Sequence, residues 1–242
     1  MKKILILLLA LLMLAACGKQ ETLETVHSME TTLVQVETTE APTEAPTIPP
    51  VTEPEPTLPP EPESDDVFVR VLDYIPTAHQ ELRYATEDNF TGQVIYPFQD
   101  ACLRYGTVRK LQLVCEDLAE LGLYIKIWDA FRPVSAQFTL WKVYPDSTYV
   151  ANPNTGYSSH SRGNTMDLTL VDENGVELEM PTGFDDFSAK ADRNYSDCTE
   201  TAANNAQLLE ILMEKHGFVG YAGEWWHYSD TTSYPVEDVF EP

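Results

Sequence analysis

Apolar residues first recur at helical spacing between residues 101 and 121, where Val108, Leu111, Cys115 and Leu118 fall three and four apart before Gly122. That pattern predicts an amphipathic helix stopped by the glycine. Leu123-Tyr124-Ile125-Lys126-Ile127-Trp128 then alternates, which puts Leu123, Ile125 and Ile127 on one face of a strand that ends before Pro133. Met166, Leu168 and Leu170 alternate with Asp167, Thr169 and Val171, so Asp167 points away from the apolar face. Asn174-Gly175 signals a hairpin into a strand over Val176-Glu177-Leu178-Glu179-Met180. A second helix is expected near 200–216, with Leu208, Ile211 and Leu212 on one face, Lys215 and His216 in the last turn and Gly217 as its stop. Phe218 to Tyr228 reads as a last strand. With no internal repeat, these elements predict one α+β domain over residues 67–242, a central antiparallel sheet flanked by helices.

The first quarter of the chain cannot join that core. Lys2 and Lys3 precede an apolar run from Ile4 to Leu14 and then small residues up to Cys17, the layout of an export signal over residues 1–17. Leu14-Ala15-Ala16-Cys17-Gly18 resembles the lipobox of bacterial lipoproteins, which implies a lipid on Cys17, anchorage to the cell membrane and an extracytoplasmic location. No later run is long enough to span a bilayer. Residues 18–66 are rich in Thr, Pro and Glu, with fragments such as Ala41-Pro42-Thr43-Glu44-Ala45-Pro46-Thr47. Too few large apolar groups are present to offset chain entropy, so this segment is expected to be a disordered tether reaching up to ~140 Å.

Charge narrows the partners. Twelve acids and no Lys or Arg lie between Glu21 and Asp66, out of a net charge of −24. The rest of the chain is still acidic, which excludes nucleic acid as the natural partner. Beyond Cys17 the cysteines are Cys102, Cys115 and Cys198. An odd number leaves at least one thiol free, and a Cys102 to Cys198 bridge is a pairing the sequence allows but does not decide. Cys115 lies in an apolar helical stripe and reads as a small core residue.

Of the five histidines, His27 lies in the tether, His79 and His216 have no metal-like company, and His216 reads as a polar helix end. His160 and His227 remain. His160-Ser161-Arg162-Gly163-Asn164-Thr165-Met166-Asp167 sets a carboxylate seven residues after an imidazole, across a glycine turn that enters a strand. Glu224-Trp225-Trp226-His227 sets another three residues before an imidazole. Two His and one Asp make an open zinc site with water in the fourth position, and an unligated Glu nearby is the base such a water needs.

Each signal alone is weak, but their joint order resembles one family. Tyr84-Ala85-Thr86-Glu87-Asp88-Asn89-Phe90-Thr91-Gly92, Trp128-Asp129-Ala130-Phe131-Arg132-Pro133, Ser158 to Leu170, Gly183-Phe184-Asp185 and Glu224-Trp225-Trp226-His227-Tyr228 are similar to the VanX-type D-Ala-D-Ala dipeptidases of the M15 metallopeptidases. The resemblance implies one zinc ion per chain on His160, Asp167 and His227, with Glu224 as general base and Arg132 stabilising the oxyanion. An ion pair with Asp129 is the other use of that guanidinium. It also implies that Tyr84 and Ser158 bind the carboxylate of a D-Ala-D-Ala substrate and Asp185 its free ammonium. Thr165 departs from the family's usual alanine and bears on pocket shape.

Two rival readings stand beside the dipeptidase. A D,D-carboxypeptidase trimming peptidoglycan stems fits an exported location, and a non-catalytic wall-binding module would keep the fold without turnover. Geometry raises one further demand. Glu224 and His227 fall on opposite faces of a regular strand, so a bulge or turn must bring both to a metal.

Overall fold

The computed structural model describes residues 58–238, 240 and 242. The expected export signal over 1–17, Cys17 and the tether up to residue 57 lie outside them. Before Val67 the chain is already tied to the domain: Pro60 O accepts from the Tyr74 hydroxyl at 3.1 Å, Asp65 O from Gly106 N at 2.9 Å and Asp66 O from Arg104 Nη1 at 2.7 Å. Backbone carbonyls dock these residues without large apolar side chains.

The elements run β1 (Phe68–Arg70), α1 (Val71–Tyr74), β2 (His79–Gln80), β3 (Cys102–Arg104), α2 (Tyr105–Ala119), β4 (Tyr124–Asp129), α3 (Val134–Val143), β5 (Thr165–Val171), α4 (Glu200–Lys215), β6 (Phe218–Tyr221) and β7 (Glu224–Asp230). Five strands form one sheet in the order β2-β4-β5-β7-β6, while β1 and β3 pair separately. The five-stranded sheet is antiparallel except for its short β2–β4 pair. This is the expected α+β domain. Helices α2 and α4 touch each other and the sheet. Ile125, Ile127, Met166, Leu168 and Leu170 are fully buried, each contributing roughly 1.5–3 kcal/mol relative to exposure.

Helix α2 buries the expected face except that Val114 takes the place of Cys115, whereas α4 is rotated from its expected face. In α2 the buried stripe is Val108, Leu111, Val114 and Leu118, with Cys115 only partly covered. In α4 it is Ala202, Ala206, Leu209 and Met213, whereas Leu208 and Leu212 are partly buried and Ile211 is 62% exposed. Two of those four are alanines, which a search for large apolar residues passes over. Both helices end as expected, at Gly122 (φ 70°) and Gly217 (φ 87°). Thr199 caps α4, its hydroxyl accepting from Ala202 N at 3.1 Å.

Two strand expectations change. The Asn174-Gly175 turn forms, with Asp172 Oδ1 accepting from the amides of Asn174 and Val176, yet the returning segment makes one bridge, Val171 to Glu177, and no strand. Beyond that bridge the segment is held towards α4, where Glu179 Oε1 accepts from the Thr199 hydroxyl at 2.7 Å and Glu179 O from Asn205 Nδ2 at 2.9 Å. Phe218 to Tyr228 is a hairpin of two strands, β6 and β7. Cys102, Cys115 and Cys198 are all free, so no Cys102–Cys198 bridge forms. Burial pushes the Cys115 thiol up to about 12 and that of Cys102 to about 11, which suits packing and not nucleophilic attack. His216 Nε2 lies 2.6 Å from Asp117 Oδ2 at the end of α4.

Gly163, at φ 73°, joins the turn carrying His160 to β5, and a Cβ there would stand far inside van der Waals contact of the Phe68 ring. Gly163→Ala should therefore lower unfolding free energy by at least ~2 kcal/mol, read by chemical denaturation.

Candidate metal centre and its cavity

Every residue of β5 is buried, so the sheet is covered on both faces where Asp167 sits. The strands beside it break their own register around that carboxylate. Along β4, Ile127 pairs with Leu168 and Asp129 pairs with Asp167, which leaves Trp128 as an extra residue in a bulge. On the other side His227 pairs with Asp167. Asp129, Asp167 and His227 therefore form one row across three strands.

His160 arrives from a 3-10 turn, Ser159–Arg162, that Gly163 closes. Ser158 caps the turn, its hydroxyl accepting from His160 N at 3.3 Å. His160 Nδ1 donates to Ala130 O at 2.9 Å, which leaves Nε2 for the cavity. The three side chains form a triangle in which Asp167 turns a different oxygen to each imidazole: His160 Nε2 to His227 Nδ1 is 3.4 Å, His160 Nε2 to Asp167 Oδ2 is 3.4 Å, and His227 Nδ1 to Asp167 Oδ1 is 3.0 Å. Ligands at 2.0–2.2 Å from a tetrahedral zinc stand roughly 3.3–3.5 Å apart, so the donor chemistry fits that ion and the two 3.4 Å separations match it, while His227 and Asp167 stand at direct hydrogen-bond distance. Among the described residues this is the group of His, Cys, Asp and Glu that could hold a metal.

Glu224 joins the triangle because β7 bulges deeply. Gly220 pairs with Tyr228 and the next β6 residue, Tyr221, pairs with Glu224, so Trp225, Trp226 and His227 have no β6 partner. Glu224 Oε2 comes to 3.5 Å from His227 Nδ1. Burial raises the Glu224 carboxyl well above its usual range, and the charges of Asp167 and Asp185 raise it further. Burial pushes Asp167 the same way, but the charges and hydrogen bonds of His160 and His227 win and hold it far below the carboxylate range. His227 is lowered by burial, with its contacts to Asp167 working against that.

Arg132 is fixed on two sides. Its Nε and Nη2 donate to Asp129 Oδ2 at 2.9 and 2.6 Å, and Nη1 donates to Gln137 Oε1 at 2.9 Å. Asp129 Oδ1 accepts from the Tyr96 hydroxyl at 2.8 Å. The ion pair with Asp129 thus exists, and it aims the guanidinium into the cavity that Asp167 lines, with Nη2 3.8 Å from Asp167 Oδ2.

The cavity measures about 220 Å3 and is lined by Tyr84, Ser158, Asp185, Arg132 and Trp226 besides the triangle and Glu224. Tyr84 and Ser158 both line this cavity, and the Tyr84 hydroxyl donates to Asp185 Oδ2 at 2.9 Å. Asp185 sits at φ 56°, a left-handed conformation that aspartate tolerates. Burial and the charge of Asp167 push its carboxyl up to about 8, against the Tyr84 hydrogen bond. The Thr165 hydroxyl is paired with that of Ser229 at 2.8 Å, which absorbs its extra polarity.

A peptidase M15 family model, described as D-Ala-D-Ala dipeptidase, matches residues 65–241. The chain belongs to that family. It is a metallopeptidase, in a family that depends on zinc. A D-alanyl-D-alanine dipeptidase of Escherichia coli (strain K12) is 40% identical over 164 residues, 66% of this chain and 84% of that protein. One from Enterococcus faecalis (strain ATCC 700802 / V583) is 33% identical over 172 residues, 61% of this chain and 83% of that protein. Among solved structures, VanYB in complex with D-Alanine-D-Alanine covers 55% of this chain and 73% of its own, with 16% identity and a TM-score of 0.37, a likeness that carries no argument.

Two residues that tie the cavity wall together gave no sequence signal. Gln137, five residues beyond Arg132 on α3, also donates through Nε2 to Ala151 O at 2.9 Å. The Tyr221 hydroxyl donates to Thr148 O at 2.8 Å, so the same loop is tied to the end of β6. Neither residue type marks a site by itself, and the partners lie far off in sequence.

Removing Asp129 would leave Arg132 buried without its nearest carboxylate. Asp129→Ala should lower stability by ~3 kcal/mol, measured as a shift of the denaturation midpoint at unchanged slope.

Proposed function

We propose that this M15 peptidase hydrolyses D-Ala-D-Ala, or a closely related D,D-dipeptide, with one zinc ion, outside the cytoplasmic membrane and anchored through a lipid on Cys17. The observation that carries the chemistry is the triangle of His160, Asp167 and His227 with Glu224 beside it. A zinc ion held by those three would polarise the scissile carbonyl and lower the pKa of a bound water. Glu224 takes the proton of the attacking water and returns it to the leaving amine. Burial raises this carboxyl above its usual range, which favours its holding the proton between the two transfers. Arg132, aimed by Asp129 and Gln137, meets the developing oxyanion, an interaction worth ~3 kcal/mol in a water-poor site.

Asp185 supports a dipeptide as substrate. A free ammonium set against it would restore its ionised form, and Tyr84 orients the carboxylate that receives it. Ser158 lies at the cavity wall for the substrate's carboxylate. A longer peptide has no ammonium at that point and would leave the acid unpaired. The dipeptidase names of the relatives support the same reading. A D,D-carboxypeptidase is the second reading, favoured by the export-type leader over residues 1–17. A wall-binding module without turnover has no observation in its favour, since the ligand and base positions are all filled.

Glu224→Ala and Arg132→Ala should each lower kcat at least ~10²-fold while elemental analysis still finds zinc, whereas His160→Ala and His227→Ala should lose the metal. Near-normal turnover in either of the first two would remove that residue from the mechanism. N-acetylation of D-Ala-D-Ala should cut kcat/KM at least ~10-fold, and Asp185→Ala should narrow that gap. Preference for the acetylated substrate or a stem pentapeptide would instead establish the carboxypeptidase. For location, Cys17→Ala should release the protein from the membrane fraction, and wild-type protein recovered in the cytosol would exclude the anchor.

A further inference from the structure

Arg193 stands outside the cavity, in the loop before α4, yet its side chain is only 10% exposed and reaches the back of the β7 bulge. Its Nε donates to Tyr221 O at 2.9 Å, and its Nη2 donates to Trp225 O at 3.1 Å and His227 O at 3.0 Å. Nη1 donates to the Tyr228 hydroxyl at 3.0 Å and lies 3.4 Å from Glu210 Oε1. The guanidinium also lies over the Tyr228 ring, 4.4 Å from its centroid. Trp225 and His227 belong to the three β7 residues without a β6 partner, and their carbonyls would otherwise be short of a donor. Gly220 leaves the room this requires, since a Cβ on it would collide with the Arg193 guanidinium.

We propose that Arg193 is a positioning residue for the metal centre: its guanidinium stands in for the missing β6 partner of Trp225–His227 and so holds the bulge that turns Glu224 and His227 to one side. In a regular strand two residues three apart face opposite ways, and the bulge is what cancels that rule. A planar fork of donors spread over three nitrogens can reach carbonyls set apart from one another, whereas an ammonium's three donors radiate from a single atom. The proposal rests on the reading that His160, Asp167 and His227 hold zinc.

The test compares wild type with Arg193→Lys, Arg193→Ala, Gly220→Ala and the Arg193→Ala/Gly220→Ala pair, each in the full chain with folding checked by circular dichroism. Zinc affinity is read by competition with a chelator, and amide hydrogen exchange over 225–228 is read in metal-free protein. Arg193→Ala and Gly220→Ala are expected to weaken zinc binding about 10–100-fold and to speed exchange over 225–228, with kcat falling more than KM rises. Arg193→Lys should recover little. The double variant should be no worse than either single one, because the methyl added at position 220 would occupy space that the guanidinium has vacated. Millimolar guanidinium should restore part of the zinc affinity of Arg193→Ala. Folded variants with zinc affinity, exchange and kcat all within about 2-fold of wild type would overturn the proposal, as would a loss confined to thermal stability. If Arg193→Ala does not fold, Arg193→Lys and Gly220→Ala decide. Should wild type itself bind no zinc, the metal-centre reading fails, and exchange over 225–228 still decides whether Arg193 holds the bulge.

Discussion

Asp167 puts a carboxylate in the middle strand of a sheet that is covered on both faces, where an uncompensated charge is least tolerable. Its surroundings are organised around that constraint. Two imidazoles bond or approach its oxygens, and Arg132 stands a little further off. Positive charge is nevertheless scarce, because Asp129 claims most of Arg132 while Glu224 and Asp185 add acids of their own. Burial raises Glu224 and Asp185, and the charge of Asp167 raises them further, which is the electrostatic expression of that shortage. A divalent cation among these ligands would relieve it, lowering both acids towards their ionised forms. Asp167, Glu224 and Asp185 are thus parts of one charge balance.

Geometry sets the second constraint. A regular strand places same-face residues two apart and about 7 Å from one another, which is too coarse for a metal's ligands and its base. The sheet solves this by keeping β5 regular and bulging both of its neighbours. One extra residue at Trp128 brings Asp129 level with Asp167, and three unpaired residues in β7 bring Glu224 round to His227. The two bulged segments carry large aromatics, and Trp128, Trp225 and Trp226 are all buried. Trp128 and Trp225 meet edge to face with centroids 5.7 Å apart, so the irregular backbone on the two sides is held by one aromatic contact.

What is legible in the sequence follows from these same features. Alternation through Met166–Val171 is enough to orient Asp167, because β5 is the regular strand. The conflict between Glu224 and His227 at a spacing of three points to a bulge, though not to its depth or to the residue behind it. Helix limits are readable from Gly122 and Gly217, and so is the buried face of α2 at Val108, Leu111 and Leu118, whereas that of α4 is not, since Ala202 and Ala206 carry little hydrophobic signal. The strand expected after Asn174-Gly175 does not form, and alternation says nothing about the partners that Glu179 finds outside the sheet in Thr199 and Asn205. The place of Tyr84 beside the acid is hidden for a related reason. Its partner Asp185 lies a hundred residues away, and only the folded chain brings the two to 2.9 Å.

The loop over the cavity is tied to the groups that line it. Gln137 holds Arg132 through one side of its amide and Ala151 O through the other, and three residues earlier in that loop Thr148 O accepts from Tyr221 at the end of β6. Swinging this loop away to admit a longer chain would break the Gln137–Ala151 bond and loosen one of the two supports of the Arg132 guanidinium. It would also release Tyr221, whose carbonyl lies at the mouth of the β7 bulge beside Arg193. The contacts that close the cavity are therefore continuous with those that aim the cation and shape the bulge. Closure of the cavity and the placement of the guanidinium draw on the same few hydrogen bonds, so a change that relaxes one weakens the other.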